Sequence, residues 1–344
     1  MKSIASYLQF TIEQHASDLH LVAGEKPMIR VQGQLQDIDE KVLPDKEFET
    51  QVLGILSAEQ KKRFLETKEL DMSYDDKNAR FRINLHRQEG KIGLAARLIP
   101  KEIPTPDQLR LEEPLQEFSH LLDGLVLVVG PTGHGKSTTI ASMIEEINKT
   151  RKAHIVTIED PIEFLFEDKE SLIVQREVGE DTDSFDAALK HVLRQDPNII
   201  FVGEMRDPET IATVLTAAET GHLVFSTLHT STAAEAVERI VDVFEGAKQK
   251  QILIQLSAVL RGVVAQQLIP TTDGRRVAAR EILVNTPAVA NLIRENNIAQ
   301  LQSVIQTGAK QGMITMDKAI EKLYKEELID KDTAERRSGR QRKI

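Results

Sequence analysis

The sequence predicts an α/β protein of two domains joined by a proline-rich linker. After residue 110, apolar segments of strand length recur between helical segments, which is typical of a mainly parallel sheet covered by helices. Before residue 99, the pattern instead predicts short strands, a helix and a hairpin. Between them, "IPKEIPTPDQL" contains three prolines, which cannot continue a helix or a central strand. We therefore assign residues 1–98 to the first domain, 99–110 to a linker and 111–330 to the second domain.

The first domain is predicted to contain two strands and a helix ahead of its hairpin. Residues 17–38 read as two strands around a Gly-Glu-Lys-Pro turn. A helix is predicted near residues 57–68, because Ser57 and Gln60 have the spacing of a capping box.

A hairpin is predicted to complete this domain, in "ARFRINLHRQEGKIGLAARLIP". Apolar and polar residues alternate on both sides of the "EGK" turn, as expected for half-buried strands. If the two strands pair across that turn, Arg82 and Arg97 lie on the same polar face.

The second domain contains the apolar strand segments "LVLVV", "HIVTIE", "SLIVQR", "NIIFVGE" and "HLVFSTLH". The last hundred or so residues are predicted to be mostly helical. In "TMDKAIEKLYKEELI", the apolar stripe consists of Ala319, Ile320, Leu323 and Leu328.

Composition narrows the class of protein. The formal charge of −10 has the wrong sign for a chain that wraps nucleic acid. The chain has no cysteine, which excludes disulfides and cysteine-ligated zinc and suits a cytosolic protein. No apolar segment is long enough to predict a transmembrane span or a signal peptide. The basic residues 331–344 are predicted to form a disordered tail, with contact to an anionic surface as the alternative.

A phosphate-binding loop is predicted between the first apolar strand of the second domain and a helix. "GPTGHGKS" satisfies the pattern G-x-x-x-x-G-K-[ST], in which backbone amides cradle phosphates and the lysine reaches the outer ones. The serine hydroxyl is the expected Mg²⁺ ligand, and the ligand is a nucleoside triphosphate such as ATP. The residues of this loop are Gly130, Pro131, Thr132, Gly133, His134, Gly135, Lys136, Ser137 and Thr138.

Carboxylates that hydrolysis requires follow two further strands. "IVTIEDPIEF" carries Glu159, Asp160 and Glu163, and "NIIFVGEMRD" carries Glu204. The carboxyl ends of parallel strands meet at one edge of a sheet, so these acids are expected beside the phosphate loop. An apolar strand that stops on an acid fits the Mg²⁺-anchoring role of Glu204, whereas helix capping or surface exposure is the alternative for Asp160.

Two histidines, His222 and His229, bracket the strand in "AETGHLVFSTLHTST". A lone histidine is usually structural, but this pair could sense the γ-phosphate or link subunits. Seven residues apart on one strand they face opposite sides, so we do not interpret them as metal ligands.

The segments "ASDLHL" (16–21), "TIEDPIEF" (157–164), "QREVGEDT" (175–182) and "VGEMRDPETIATVLTAAETGHLVFSTLHT" (202–230) resemble the secretion ATPase superfamily. Within it, they are most similar to the retraction ATPases of type IV pili. The resemblance implies a PAS-like α+β N-terminal domain, a RecA-like P-loop ATPase domain with a helical C-terminal region, and a ring of six chains. It also implies ATP and Mg²⁺ as ligands, and an inner-membrane pilus platform protein as partner. Such a motor works at the cytoplasmic face of the inner membrane, associating with it peripherally through partners.

The resemblance also implies roles for individual residues. Lys136 and Ser137 become the Walker A pair, and Glu163 the catalytic base. Glu204 becomes the Walker B acid, which holds Mg²⁺ partly through water together with Ser137. The resemblance further places His222 and His229 in the family's His box and implies that Arg82 and Arg97 reach the nucleotide from the N-terminal side. Arginine suits that task because its permanent charge and forked donors match phosphate oxygens.

Three departures from the family pattern bear on function. His134 stands where the family usually has serine, at a position expected to contribute mainly its backbone. The stretch "AVANLIRE" (288–295) lacks the first arginine of the similar stretch in retraction ATPases. The chain also lacks the four-cysteine module common in assembly ATPases, which favours retraction.

Three alternatives to a retraction motor remain open. One is a pilus-assembly or type II secretion ATPase, and another is an accessory ring component that binds nucleotide but hydrolyses little. The third is a RecA-like nucleic-acid motor, which the acidic balance of the chain opposes. Lys136, Glu163 and Glu204 together argue for hydrolysis.

Overall fold

The computed structural model describes residues 2–31, 33–38, 41–76, 79–99 and 102–338. Its internal contacts divide the chain into two compact units. One unit comprises Met1–Glu102 and Glu163–Leu165, and the other comprises Ile103–Ile162 and Phe166–Ile344. The boundary between the two units, after Glu102, lies within the proline-rich segment 99–110 that was predicted to be the linker.

In the first unit, six strands of the described residues form one antiparallel sheet in the order β3-β2-β1-β6-β5-β4. In chain order, the elements are α1 (Ile4–Glu13), β1 (Asp18–Val22), β2 (Met28–Val31), β3 (Gln34–Asp37), α2 (Asp45–Gly54), α3 (Ala58–Thr67), β4 (Glu69–Asp76), β5 (Ala79–Gln88) and β6 (Lys91–Ile99). The apolar faces of α1, α2 and α3 join the sheet in a single core. This unit is therefore α+β.

The prediction of two strands in residues 17–38 was incomplete, because three strands form there. The second predicted strand turns back at Gly33, whose φ of +83° lies in the left-handed region that favours glycine. As a result β2 and β3 pair as a short hairpin, in which Arg30 lies opposite Leu35.

The predicted capping box and hairpin are confirmed. The Ser57 hydroxyl accepts the Gln60 amide at 3.2 Å, and the Gln60 side-chain oxygen accepts the Ser57 amide at 3.1 Å, at the start of α3. Strands β5 and β6 pair in the expected register, with Arg82 directly opposite Arg97. Glu89 and Gly90 both have positive φ, as a tight hairpin turn requires.

In the second unit, seven strands of the described residues form one sheet in the order β13-β12-β7-β11-β10-β8-β9. Neighbouring strands pair in parallel except at the edge, where β13 is antiparallel to β12. The elements up to residue 228 are α4 (Glu113–Ser119), β7 (Gly124–Val129), α5 (Lys136–Thr150), β8 (His154–Glu159), β9 (Leu172–Glu177), α6 (Phe185–Val192), β10 (Ile199–Val202), α7 (Pro208–Glu219) and β11 (Leu223–Leu228). The remaining ones are α8 (Ala233–Asp242), α9 (Gly246–Val259), β12 (Leu260–Pro270), β13 (Arg276–Val284), α10 (Pro287–Arg294), α11 (Leu301–Thr307), α12 (Met316–Lys325) and α13 (Lys331–Arg337), with 3₁₀ turns at Ile298–Gln300 and Ala309–Gln311.

Helices cover both faces of this sheet, which explains why its central strands are continuously apolar. In β7, Leu125, Leu127 and Val129 enter the core on one face, while Val126 and Val128 enter the core that includes α5. The prediction of a mainly parallel, helix-covered sheet is thereby confirmed, and the α/β class with it.

One prediction about the C-terminal region was incomplete and another was wrong. The last hundred residues are mostly helical and begin with α9, but β12 and β13 interrupt the helices with a long hairpin around a turn at Gly274, where φ is +82°. Residues 331–337 are not disordered but form α13, whose first turn is capped by Asp330 accepting the Thr333 amide at 2.6 Å. Residues 339–344 of the predicted tail lie outside the described residues.

The apolar stripe predicted in α12 is confirmed for Ala319, Ile320 and Leu323, which are buried against the β12–β13 hairpin. Leu328 lies beyond the end of the helix but packs on the same cluster. Within the described ranges, every helix is too short or too polar to serve as a membrane span.

Candidate functional site

The predicted phosphate loop connects the end of β7 to the start of α5. Gly130 and Gly135, which bound it, have φ of +146° and +79°. A Cβ atom on Gly130 would lie 2.3 Å from the carbonyl oxygen of Gln266, so no larger residue fits there. The loop is thus tightly curled against β12, and its chain enters a helix of 15 residues whose N-terminus favours an anion.

Lys136 is held across this loop. Its side chain is buried, and Nζ donates to the carbonyl oxygens of Gly130 at 2.7 Å and Pro131 at 3.1 Å. Nζ also lies 3.5 Å from Nδ1 of His229. Ser137 and Thr138, in the first turn of α5, are partly exposed and so accessible to a ligand.

Glu204 and His229 connect two neighbouring strands to the loop. Glu204 follows β10 and His229 follows β11, and their Oε2 and Nε2 atoms are 3.3 Å apart. Nδ1 of the same imidazole is 3.3 Å from the hydroxyl of Thr132. Since a carboxylate only accepts, Nε2 carries the proton in neutral His229, which leaves Nδ1 as the acceptor for Thr132 and Lys136.

The structure therefore brings Lys136, Glu204 and His229 together at the carboxyl edge of the sheet. The strands β7, β11 and β10 that deliver them are adjacent, which is why residues separated by up to 93 positions meet. The edge of an open parallel sheet where strands end is the usual ligand site of such folds.

His222 does not join this group, so the structure does not support γ-phosphate sensing by both histidines, and a role of the pair in linking subunits stays a prediction. It lies at the other end of β11, where Nδ1 is 2.9 Å from the Ala217 carbonyl oxygen and 3.1 Å from the Thr220 hydroxyl. His222 thus completes the C-terminus of α7, a structural role. Thr227 also has a local role, because its hydroxyl donates to the Gly203 carbonyl oxygen at 2.6 Å.

The acids after β8 have different environments. Glu159 is buried, and its carboxylate accepts hydrogen bonds from Thr157 at 2.7 Å and Gln175 at 3.2 Å, which indicates a structural role. Asp160 is exposed and precedes Pro161 through a cis peptide bond. Glu163 is exposed too, as a solvent-accessible base requires, and its catalytic role stays a prediction.

Arg82 and Arg97 are cross-strand neighbours in the first unit. Nε of Arg97 donates to Oδ1 of Asp18 at 2.8 Å, while 68% of the Arg97 side chain remains exposed. Burial opposes the ionisation of Asp18, but hydrogen bonds from Ser17 and Arg97 outweigh it and lower the pKa of this carboxyl. The contribution of both arginines to a nucleotide site stays a prediction.

His134 contributes more than its backbone, contrary to the expectation. Its Nδ1 accepts the backbone amide of Leu268, in β12, at 3.2 Å, so the imidazole fastens the loop to the sheet. Burial, and then the positive charges of Arg337, Lys136 and Arg276, lower the pKa of His134. A lowered pKa favours the neutral ring, which is the form that can accept this bond.

Sequence reasoning missed two further groups of residues. Arg206 pairs with Oε1 of Glu204, and this hydrogen bond raises the pKa of the guanidinium. Gln266 and Arg280 lie buried beneath the loop. A charged residue inside the apolar segment "VAAREILV" was the available signal for Arg280, and no sequence pattern marked Gln266.

The donors present fit a nucleotide with Mg²⁺. Among the described residues, no cluster of three or more histidine or acidic side chains could hold a metal ion by itself. The hydroxyl of Ser137 and the carboxylate of Glu204 are oxygen donors of the kind that Mg²⁺ takes from a protein when phosphates supply the rest. A phosphate loop beside one or two such donors is the arrangement expected for a nucleoside triphosphate.

Comparisons with known proteins agree with this arrangement. The family model described as "Type II/IV secretion system protein" matches residues 1–342. The "Type IV pilus retractation ATPase PilT" of Pseudomonas aeruginosa is 47% identical over 332 residues, which cover 96% of each chain. The "Twitching motility protein" of Neisseria gonorrhoeae is 46% identical over 338 residues, covering 98% of this chain and 90% of that one.

A solved structure is similar over the whole chain. The crystal structure of the pilus retraction motor PilT with bound ADP superposes with a TM-score of 0.92 at 44% identity, and covers 100% of this chain and 99% of its own. The resemblance carried by the motifs at 16–21, 157–164, 175–182 and 202–230 is thereby confirmed. The chain belongs to the type II/IV secretion system protein family.

Proposed function

We propose that this chain is an ATPase motor that powers type IV pilus retraction and, through it, twitching motility. The observation that carries the proposal is the hydrogen-bonded group of Lys136, Glu204 and His229 at the phosphate loop. Two relatives and one solved structure carry pilus retraction or twitching motility in their names, and they match nearly the whole chain. The reaction is hydrolysis of ATP to ADP and phosphate.

In this proposal the loop binds the phosphates, and the other residues prepare the reaction. Lys136 exchanges the carbonyl oxygens of Gly130 and Pro131 for phosphate oxygens, which compete well for an ammonium because they are charged. Ser137 and Glu204 hold Mg²⁺, which when bound neutralises charge on the phosphates. His229 donates to Glu204 and keeps that carboxylate oriented. Because Nδ1 of His229 lies beside Nζ of Lys136, any movement of Lys136 changes the hydrogen bonding of this imidazole.

Glu163 is proposed as the general base that accepts the proton of the attacking water. Arg82 and Arg97 are proposed to stabilise the negative charge that develops on the phosphates, and the pair presents two guanidinium groups on one sheet face. For Arg97, the hydrogen bond to Asp18 fixes the direction of the side chain without burying it.

The assembly is proposed to be a homohexameric ring of PAS-like and RecA-like domains. Each chain would act through an inner-membrane pilus platform protein and work at the cytoplasmic face of that membrane. A pilus-assembly or type II secretion ATPase is the second candidate, favoured by the arginine missing from 288–295. In that stretch Arg294 donates to Asn291 at 2.8 Å on the exposed side of α10.

The test is a strain that produces Lys136→Ala in place of the parent chain. We expect loss of twitching motility together with an excess of surface pili, because assembly continues while removal stops. Loss of pili instead would contradict retraction and support the assembly motor. Normal twitching and piliation would contradict both.

A further inference from the structure

Gln266 lies beneath the phosphate loop and contacts both of its ends. Its carbonyl oxygen is the atom that a Cβ on Gly130 would strike. Its side-chain Nε2 donates to the carbonyl oxygen of His134 at 2.8 Å, and its Oε1 accepts the hydroxyl of Thr139, in the first turn of α5, at 2.8 Å. Gln266 is only 2% exposed, so water does not compete for these bonds.

Arg280 determines which way the Gln266 amide points. The two residues are cross-strand partners in β12 and β13, and Nε of Arg280 donates to Oε1 of Gln266 at 2.8 Å. A guanidinium has no acceptor, so the amide oxygen must face it. The NH₂ group is then directed at the His134 carbonyl oxygen, which can only accept.

The other end of Arg280 holds the segment that follows the unit boundary, which we call the post-boundary turn (residues 105–112). Nη1 donates to Oε2 of Glu112 at 3.0 Å and to the Arg110 carbonyl oxygen at 3.4 Å. Nη2 donates to the Leu109 carbonyl oxygen at 3.2 Å. The turn is internally ordered, for example by the Leu111 amide donating to the Pro106 carbonyl oxygen at 2.9 Å.

A contribution to core packing does not explain why an arginine is buried at position 280. Arg280 is 1% exposed, and removing a guanidinium from water costs several kcal/mol that its partners must offset. Apolar residues of similar volume commonly give equal or greater stability at such positions. Apolar residues at positions 266 and 280 could not hydrogen-bond to the His134 carbonyl oxygen or to the carbonyl oxygens of the post-boundary turn. They therefore could not fix the position of the phosphate loop relative to that turn.

We propose that Gln266 and Arg280 are positioning residues for the nucleotide. Gln266 fixes the His134 carbonyl and the first turn of α5 in the geometry that the phosphates need. Arg280 fixes Gln266 and connects this arrangement to the post-boundary turn, where the chain enters the unit. This inference rests on the proposed nucleotide site and adds residues that touch neither ATP nor Mg²⁺.

The decisive variant is Gln266→Glu in the purified full-length chain. A glutamate keeps the acceptor for Arg280 and Thr139 but cannot donate to the His134 carbonyl oxygen. We expect the melting temperature without nucleotide to stay within about 3 °C of the parent, because an ion pair with Arg280 compensates. The Kd for a fluorescent ADP analogue should rise about tenfold or more, because the loop carbonyl then faces a carboxylate.

Gln267→Glu is the matched control, since it adds the same charge one residue along on the opposite face of β12. Parental affinity in Gln266→Glu, or an equal loss in both variants, would overturn the inference. Gln266→Met, which adds no charge, should lower affinity in the same direction, and decides the matter if the glutamate variant does not fold. Failure of the parent itself to bind ADP would instead overturn the proposed nucleotide site.

The role of Arg280 is tested by hydrogen exchange with and without ADP. In the parent, ADP should slow exchange of the hydrogen-bonded amides of the post-boundary turn (Leu109, Arg110 and Leu111) by about threefold or more. The effect reaches the turn through the hydrogen bonds of Gln266 and Arg280. Arg280→Met should abolish that response while ADP still protects the amides of α5. An ADP response of the turn that is equal in both proteins would overturn the connection.

Discussion

Replacing Glu204 by glutamine separates the carboxylate's chemical role from its structural one. The side chain is 11% exposed and contacts two partners, His229 at 3.3 Å and Arg206. The glutamine amide has the same shape as the carboxylate, and its oxygen can still accept from either His229 or Arg206. The substitution therefore removes at most one of these hydrogen bonds, together with the ion pair to Arg206. The Arg206 side chain is 68% exposed, so solvent screens that ion pair and reduces its contribution to about 0–1 kcal/mol.

We therefore expect Glu204→Gln to lower the free energy of unfolding by about 1 kcal/mol, or roughly 2–4 °C in melting temperature for a unit of this size. Turnover should fall by about a hundredfold or more, because an amide does not replace a carboxylate beside Mg²⁺. ADP affinity measured without Mg²⁺ should stay within about threefold, because the loop is intact.

The assays are phosphate release with excess Mg²⁺, ADP titration in EDTA, and thermal melting. Glu238→Gln, an exposed carboxylate on α8, is the control for the same chemical change and should match the parent. Turnover of Glu204→Gln within threefold of the parent would refute the Mg²⁺ assignment. A fall in melting temperature beyond about 10 °C would show that the carboxylate is chiefly structural.

Three further predictions concern other residues. Glu163→Gln should leave ATP binding intact and lower turnover by about a hundredfold or more, since it removes the proton acceptor, and phosphate release near the parental rate would show that another group is the base. Arg97→Ala mixed with parent chains should depress turnover more than dilution explains, and a strictly proportional loss would show that the arginine serves its own subunit or none. Because the pKa of Asp18 is lowered in the folded chain, its stabilising effect is present above the ordinary value of 3.8 and lost as pH falls through the folded value. The difference in melting temperature between the parent and Asp18→Asn should therefore shrink as the pH is lowered below about 4, and a difference that stays constant from neutral pH down to the acid unfolding of the parent would contradict the assignment.

Local patterns in the sequence predicted much of this protein correctly. The capping box at Ser57 and the register of Arg82 with Arg97 depend on residues close in the chain, and both were confirmed. The parallel sheet followed from its buried, continuously apolar strands. These features were predictable because their cause lies in short stretches of the chain, the longest being the hairpin that pairs Arg82 with Arg97.

What could not be predicted depends on contacts distant in the chain. His134 is 134 positions from Leu268, and Thr139 is 127 from Gln266, so nothing local marks either hydrogen bond. His222 and His229 look equivalent in sequence, yet only the carboxyl end of β11 reaches the loop. The helix α13 was missed because its basic composition resembles a disordered terminus, whereas its cap at Asp330 is a short-range signal that could have been used.

This chain is proposed to couple ATP hydrolysis at the phosphate loop around Lys136 to the mechanical work of a ring of chains. The most direct measurement is phosphate release by the purified chain with ATP and Mg²⁺, on a fraction whose mass is determined in the same experiment. We predict a hexamer that releases phosphate, and a Lys136→Ala protein that does not. A monomer that releases no phosphate under those conditions, or equal release by the two proteins, would show that the phosphate loop does not power a ring motor.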